Sequence, residues 1–487
     1  MNRMLSALGF ALLFLLFPLC ASADTRALLV ACSDFVTQPD LGSAISGNLH
    51  MIGSALISSD MPLGNLSIED GTIGTSEAFE SAVVDAFSLS DEDDLSILYL
   101  CTHGVLSSAD DGQVYLLLGD GEKETPLSAD ALYAIIRPIQ GKKLLILDAC
   151  FSGALIGRGG SGAQEETPDF LSPFLSDTSI HVLTSASGSE SSWYYDSQQL
   201  DTGAVSYFAS ALSSGLGLYG APEADLSGDG GVTLAELHRY LSVAVPSSSS
   251  QLLSAHADSL FLPVAAGPAL SRPLSGFSYS TSLLSTDDPV FEFSFTVTQA
   301  DTGVQYRLID YDNGRWSWEN AQEFWDDGDE GGQQLAPGRK HRALSLENIA
   351  PEDSGYLMLQ VFSVRGESIQ LCSERLIAVQ PAQRNPQLRV SCRDTLDRPG
   401  VRELPIDVYA AVPCEISVSV YDSDGALVRR LASSQLTRPA AGDLTRLYWD
   451  GRDASGAVVP DGDYTIAAET ASGSGRIKTA CSVSVRR

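Results

Sequence analysis

Two kinds of hydrophobic patterning meet near Pro263. Before that point, short unbroken apolar runs alternate with segments of helical period. Arg26 to Cys32 (RALLVAC), Leu95 to Thr102 (LSILYLCT), Lys143 to Leu147 (KLLIL) and Ile180 to Thr184 (IHVLT) lack the polar alternation of a half-wetted strand, so each predicts a strand buried on both faces. Gly47 to Leu56, Glu77 to Phe87 and Ser128 to Ile136 predict helices, the last with Ser128 as N-cap and Asp130 in its first turn. Strands alternating with helices predict an α/β unit whose parallel sheet is covered on both faces.

After Pro263 no long helical period occurs, and Thr, Ser, Val, Tyr and turn residues dominate. Val290 to Val297 (VFEFSFTV) and Tyr356 to Val361 (YLMLQV) predict strands of a β-sandwich. Asp326 to Gly332 (DDGDEGG) reads as a solvated acidic turn rather than a cation site. A junction at Pro381 to Pro386 precedes a last segment with turns at Asp424-Gly425, Asp450-Gly451 and Asp461-Gly462. That segment resembles the immunoglobulin-like domain of the flagellar hook-capping protein (FlgD-like) in Val418 to Leu431 (VSVYDSDGALVRRL), Ala441-Gly442, Trp449 to Gly456 (WDGRDASG) and Pro460 to Tyr464 (PDGDY). The resemblance implies a β-sandwich and no particular activity, with Trp449 a core or turn anchor.

Charge and leader narrow the setting. With 30 Lys and Arg against 62 Asp and Glu, the net charge of −32 argues against nucleic acid and anionic lipid as partners and favours basic peptides. Arg3, the apolar run Met4 to Cys20 and the small residues Ala21-Ser22-Ala23 predict a signal peptide cleaved before Asp24. Leu19 before Cys20 does not fit a lipoprotein site, and no second run reaches membrane-spanning length, so a secreted or cell-surface location is expected. Of eight cysteines, Cys20 goes with the leader and leaves an odd number. Cys372, Cys392, Cys414 and Cys481 admit three pairings that the sequence does not separate. No His/Cys cluster has zinc spacing.

Two of the predicted strands stop at reactive residues: one at Thr102-His103-Gly104, the other at Asp148-Ala149-Cys150-Phe151-Ser152-Gly153. In an open parallel sheet functional groups collect beyond the strands' carboxyl ends, so a thiol and an imidazole would share one crevice. With Ala27 to Phe35, Asp93-Asp94 and the hairpin-like Gly112 to Gly119, these motifs resemble the caspase-like cysteine peptidases of the metacaspase, clostripain and gingipain branches, over Arg26 to Val264. The resemblance implies Cys150 as nucleophile, His103 as proton donor to the leaving amine, and the N–H groups of Gly104 and Cys150 as oxyanion donors. It also implies that Asp148, with Asp34 as a second candidate, selects substrates with Arg or Lys before the cleaved bond. Where the family often has Asn-Asp, this chain reads Asn48-Leu49, which touches a secondary binding contact and not the dyad. Cys32 and Cys101 read as core thiols, and His50, His181, His238, His256 and His341 as structural. Arg158, in the glycine-rich stretch Ala154 to Gln164, is expected to be a mobile site of self-cleavage.

Asp225 to Glu236 (DLSGDGGVTLAE) carries two open readings. As an EF-hand-type loop, Asp225, Ser227, Asp229, Gly231 and Glu236 would hold Ca2+, with Gly230 at the sharp turn. As an N-terminal helix signal, Thr233 caps and Glu236 closes a capping box. No cofactor is needed for thiol chemistry. The expected layout is a signal peptide (1–23), a caspase-like α/β/α peptidase domain (24–265), a β-sandwich domain (270–381) and a FlgD-like Ig domain (386–487). The expected function is a secreted cysteine endopeptidase acting on peptides with basic residues, its β domains free to meet a cell-surface partner. The alternative is a non-catalytic surface-binding or scaffold protein of the same fold.

Overall fold

A computed structural model of the chain describes residues 23–42, 45–107, 113–158, 173–195, 205–267, 271–312, 315–326, 334–347, 354–366, 368–381, 387–437, 444–472 and 475–487. The signal peptide, most of the acidic 326–332 turn, the 382–386 junction, Ala441-Gly442 and the 159–164 half of the glycine-rich stretch lie outside the described residues.

The first unit runs β1 (Thr25–Ala31), α1 (Ser46–Ile57), β2 (Leu63–Asp70), α2 (Ser76–Phe87), β3 (Leu95–Cys101), β4 (His103–Leu106), β5 (Val114–Gly119), β6 (Glu124–Leu127), α3 (Ala129–Ile136), β7 (Lys142–Asp148), β8 (Ile180–Thr184), β9 (Tyr194–Tyr195), β10 (Val205–Ser206), α4 (Tyr207–Gly215), α5 (Leu234–Ala244) and β11 (Gln251–Leu253). Its central sheet has the order β11-β8-β7-β3-β1-β2. Five strands are parallel, but β11 pairs antiparallel with β8, so the sheet is mixed rather than purely parallel. Three residues of β11 were too few to give a periodic signal.

Side-chain alternation along these strands splits the core in two. Leu29, Ile97, Tyr99, Leu144 and Ile146 face α1, α4 and α5, whereas Leu28, Val30, Leu98, Leu100, Leu145 and Leu147 face α2 and α3. Ser128 caps α3 by accepting the Ala131 N–H at 3.2 Å, and Thr75 caps α2 in the same way.

Two further units, each of two facing sheets, follow. In the first, Phe291, Phe293, Phe295 and Val297 alternate into a core shared with Tyr306, Leu357, Leu359 and Ile377. The strand Gly355–Arg365 does not alternate: it is buried from Leu357 through Ser363, because its second face packs on the α/β unit. There Gln360 donates to Glu374 at 2.7 Å, and Glu374 accepts from the Ser247 hydroxyl at 3.1 Å. In the last unit, Ile406, Val408, Val418, Val420, Ile466 and Val483 surround Trp449, which is wholly buried with Nε1 donating to the Arg452 carbonyl at 2.9 Å.

Candidate functional site

Strand register brings the reactive residues together. Cys101 ends β3 opposite Ala31 of β1 on one side and Asp148 of β7 on the other, so three strands stop level. The Thr102 N–H still donates to the Asp148 carbonyl at 3.2 Å, and just beyond it the two chains meet again where Gly104 packs on the Cys150 backbone. At Thr102 the chain leaves the central sheet for the antiparallel β4-β5-β6 layer, held by the Thr102 hydroxyl on the Leu117 carbonyl.

Contact between the two motifs is closest at Gly104. A Cβ built there would lie 1.7 Å from the Cys150 carbonyl oxygen and 3.4 Å from the Cys150 nitrogen. Only a residue without a side chain lets these two backbones meet. Phe151, next to the thiol, has φ 58°, a left-handed conformation uncommon for a bulky residue. The Phe151 N–H donates to the Glu190 carbonyl at 2.8 Å, and Gly153 donates to Ala186 at 2.9 Å, which ties the Cys150 turn to the segment after β8.

The loop after β1 positions the imidazole. His103 Nε2 lies 2.8 Å from the Pro39 carbonyl oxygen, which can only accept, so Nε2 is the nitrogen that donates there. The Phe35 ring packs on the imidazole with centroids 4.7 Å apart. Neither Pro39 nor Phe35 carries a sequence signal for this role, since their positions depend on how the β1 loop folds back. His103 and Cys150 are both half-buried.

Asp148 lies beneath the crevice, 3% exposed. Tyr99 Oη donates to it at 2.9 Å, Ser206 Oγ at 2.5 Å and Ser192 Oγ at 2.9 Å. Burial pushes its carboxyl above the usual range, against the pull of the Ser206, Tyr99, Ser192 and Ser185 hydroxyls. Among the described residues it has no ion-pair partner. Ser192 also reaches the thiol, its carbonyl 3.8 Å from Cys150 Sγ. Asn48 enters the same buried network, donating to Tyr99 Oη at 3.0 Å and to Cys101 Sγ at 3.4 Å while accepting the Ser206 N–H at 2.8 Å. One amide among the apolar positions of α1 was the available sequence clue to this network.

The remaining candidates fall elsewhere. Asp34 is exposed, accepting from Ser33 Oγ at 2.7 Å while its carbonyl takes the Gly121 N–H at 3.1 Å, so it lies over the β5–β6 turn. Cys32 and Cys101 are buried thiols, Cys32 pushed up by burial to about 11. His181 is buried, 2.7 Å from Ser254 Oγ, and burial lowers it to about 4.

Arg158 corrects the expectation of a mobile, cleavable loop. It is 9% exposed, with Nε donating to Glu403 of the last unit at 3.0 Å and its guanidinium over the Tyr448 ring at 5.0 Å. Its N–H bonds the Gly153 carbonyl at 2.8 Å and its carbonyl takes the Gly188 N–H at 2.9 Å. With its N–H, its carbonyl and its side chain all bonded, Arg158 itself is not loose. The pair forms part of the wall of a cavity of about 940 Å³ between the α/β unit and the last unit, away from Cys150.

In the 225–236 loop, the Asp225 carboxylate accepts the N–H groups of Gly228, Asp229 and Gly230 at 2.8, 3.1 and 2.9 Å, with Gly230 at φ 91°. Asp229 Oδ1 takes the Gly231 N–H at 2.9 Å. Glu236 turns one oxygen to the Thr233 N–H and the other to the Ser227 N–H, both at 2.9 Å, and Thr233 Oγ1 accepts the Glu236 N–H at 3.2 Å. This is the capping-box alternative in full. Among the described residues no group of three or more Asp, Glu, His or Cys side chains is placed to hold a metal ion.

Of the four cysteines beyond residue 300, Cys392 and Cys481 have their sulfurs 3.1 Å apart. Cys372 and Cys414 are buried in the cores of two different units.

Residues 403–474 match the FlgD Ig-like domain family, and the C-terminal unit is that domain. No curated protein matches the chain. Among solved structures, caspase-1 from Spodoptera frugiperda is 14% identical, with 48% of this chain and 88% of that chain covered and a TM-score of 0.31. Protein GSU0716 from Geobacter sulfurreducens is 14% identical, with 50% and 95% covered and a TM-score of 0.33. The CupB2 chaperone from Pseudomonas aeruginosa is 10% identical, with 42% and 98% covered and a TM-score of 0.23.

Proposed function

We propose that this chain is an exported cysteine endopeptidase of the caspase-like type, in which Cys150 and His103 form the dyad. The observation that carries this reading is the direct packing of Gly104 on the Cys150 backbone, which joins two motifs distant in sequence at one point. The His103–Pro39 contact supports it, because an oriented imidazole is what a thiol nucleophile requires.

In this mechanism the Cys150 thiol gives its proton to His103 Nδ1, and the thiolate attacks the substrate carbonyl carbon. The carbonyl oxygen takes up the negative charge and accepts from the Gly104 and Cys150 N–H groups, each such donor being worth about 2.7–4 kcal/mol in the transition state. Collapse breaks the C–N bond, and imidazolium returns the proton to the departing amine. Water, deprotonated by His103, then hydrolyses the thioester and restores the thiol. An extended peptide suits the site, since β9 already pairs as a strand with β10 beside it. Preference for Arg or Lys before the cleaved bond follows from Asp148, a carboxylate held by hydroxyls alone that a cation would complete. Self-cleavage after Arg158 is not part of this proposal.

The test is a peptide-library digest combined with labelling by a peptidyl acyloxymethyl ketone under reducing conditions. Wild-type protein should cleave after Arg or Lys and take up one label at Cys150. Cys150→Ala should do neither while unfolding at the wild-type temperature. A wild-type protein that neither cleaves nor is labelled is a binding protein and overturns the proposal.

A further inference from the structure

We propose that the middle β unit completes the substrate cleft: Trp318 and Trp193 together form a subsite for an apolar side chain lying upstream of the basic residue. This rests on the peptidase reading above and adds a specificity determinant supplied by a different unit of the chain. Ser192 is the residue that touches both ends of the dyad turn, through its carbonyl on Cys150 Sγ and its hydroxyl on Asp148. The next residue, Trp193, is held in extended pairing by its carbonyl, which accepts the Tyr207 N–H at 3.0 Å, just before the β9–β10 ladder begins. A peptide lying along this segment advances about 3.3 Å per residue. The side chain one or two positions before the Asp148-directed residue therefore reaches Trp193.

Trp193 is 45% exposed, a large exposure for an indole beside a buried network. Its ring meets that of Trp318, half-buried in a short 3₁₀ turn of the middle unit, with centroids 6.1 Å apart and planes at 47°. Trp318 thereby fixes the Trp193 ring and extends the apolar surface. The middle unit is seated for this role by Glu374 on Ser247 and by the ion pair of Arg272 with Glu223 at 3.4 Å. The apolar occupant thus sits beside the basic residue of the same substrate, which matches Asp148 below and indoles alongside.

The experiment compares the full-length chain with Trp318→Ala and Trp193→Ala on paired peptides that share an Arg at the cleaved bond and carry either Leu or Gly one or two positions upstream. Trp318→Ala should raise KM about tenfold for the Leu peptides, far more than for the Gly peptides, and keep the wild-type unfolding temperature. Titration of Cys150→Ala protein with the Leu peptide should quench tryptophan fluorescence, and Trp318→Ala should weaken that response in parallel. Equal losses on Leu and Gly peptides, or none, overturn the subsite. If the wild-type protein cleaves nothing, it is the peptidase reading that fails, and the fluorescence titration still decides whether the indoles bind an apolar peptide.

A separate observation carries a second proposal: Cys392 and Cys481 form a disulfide in the exported protein. They lie on different sheets of the last unit, Cys392 ending the strand Arg389–Cys392 and Cys481 within Gly475–Arg486, with sulfurs 3.1 Å apart. Each is half-buried, so an oxidant can reach it, while Cys372 and Cys414 are enclosed in separate cores. The oxidant is a disulfide, either of an oxidoreductase or of low molecular weight. The Cys481 thiolate attacks it to give a mixed disulfide, and Cys392 then displaces the oxidant's second sulfur as a thiolate. Two electrons pass to the oxidant, and the two thiol protons leave the protein. The bond would join positions 89 apart in sequence, on the first and last strands of the domain.

Protein incubated with oxidised glutathione, trapped with N-ethylmaleimide and mapped without reduction should yield one cross-linked peptide joining Cys392 and Cys481. Reductant should lower the unfolding temperature of wild type by several degrees and that of Cys481→Ser not at all. Recovery of both residues alkylated after oxidation, or a different cross-link, overturns the proposal.

Discussion

Gly104→Ala is expected to weaken the α/β unit and, on the peptidase reading proposed above, to abolish peptide cleavage. The new methyl group would sit 1.7 Å from the Cys150 carbonyl oxygen, and the obstacle is backbone on both sides, so no rotamer change can relieve it. Either the β4 segment lifts from the β7 end or the Cys150 turn moves, and both separate His103 from the thiol and misplace the oxyanion donors. Overpacking of this kind costs about 3 kcal/mol. Loss of one aligned donor alone lowers kcat by about 10²–10³-fold. The contrast is Gly53→Ala in α1, where the added Cβ would meet Leu29 and Ile68 at 3.6 and 3.7 Å in ordinary contact. That variant should keep full activity and gain slightly in stability, since alanine is the better helix former. Thermal unfolding and steady-state rates on the two variants check the prediction, and an active Gly104→Ala protein would refute the apposition of the two motifs.

Glu403→Gln is expected to produce the second large effect. Its carboxylate and the Arg158 guanidinium are both nearly enclosed, with side chains 12% and 11% exposed. Removing one member leaves the other buried and unpaired, a loss of about 3–5 kcal/mol. Because the partners belong to different units, the loss falls on the docking of the C-terminal domain. Arg429 donating to the Ser254 carbonyl at 3.4 Å and Gly456 packed on His256 would remain as the lesser contacts. Limited trypsin digestion reads this directly: wild type should resist cleavage after Arg158, and Glu403→Gln should be cut there. Rapid cleavage of wild type at Arg158 would show that the residue is accessible after all.

Strands β1, β3, β7 and β8 and helices α1 to α3 were legible because their signals are local, whereas β2 and α4 were not predicted. Val30, Leu98 and Leu145 sit in uninterrupted apolar runs, and a run of that length has no exposed face to spare. Ser128 and Thr233 announce helix starts through hydroxyls that serve amides three residues away. The short edge strand β11 and the two-sided burial of Gly355–Arg365 were not legible, because the first is too brief for a period and the second is decided by a neighbouring unit.

By itself, the sequence determined that His103 and Cys150 each follow a buried strand, and that Gly104 accompanies the histidine. Tertiary structure alone decided that β3 and β7 are neighbours stopping at the same level, which turns two separate motifs into one site. It also decided that the Pro39 carbonyl and the Phe35 ring hold the imidazole, that Asp148 is enclosed by Tyr99, Ser192 and Ser206, and that Arg158 is clamped by Glu403 rather than loose. The physical reason is range. Periodicity and capping act within a few residues, whereas a carbonyl, a hydroxyl or a counter-ion acts on whatever the folded chain places within hydrogen-bonding distance, here up to 245 residues away.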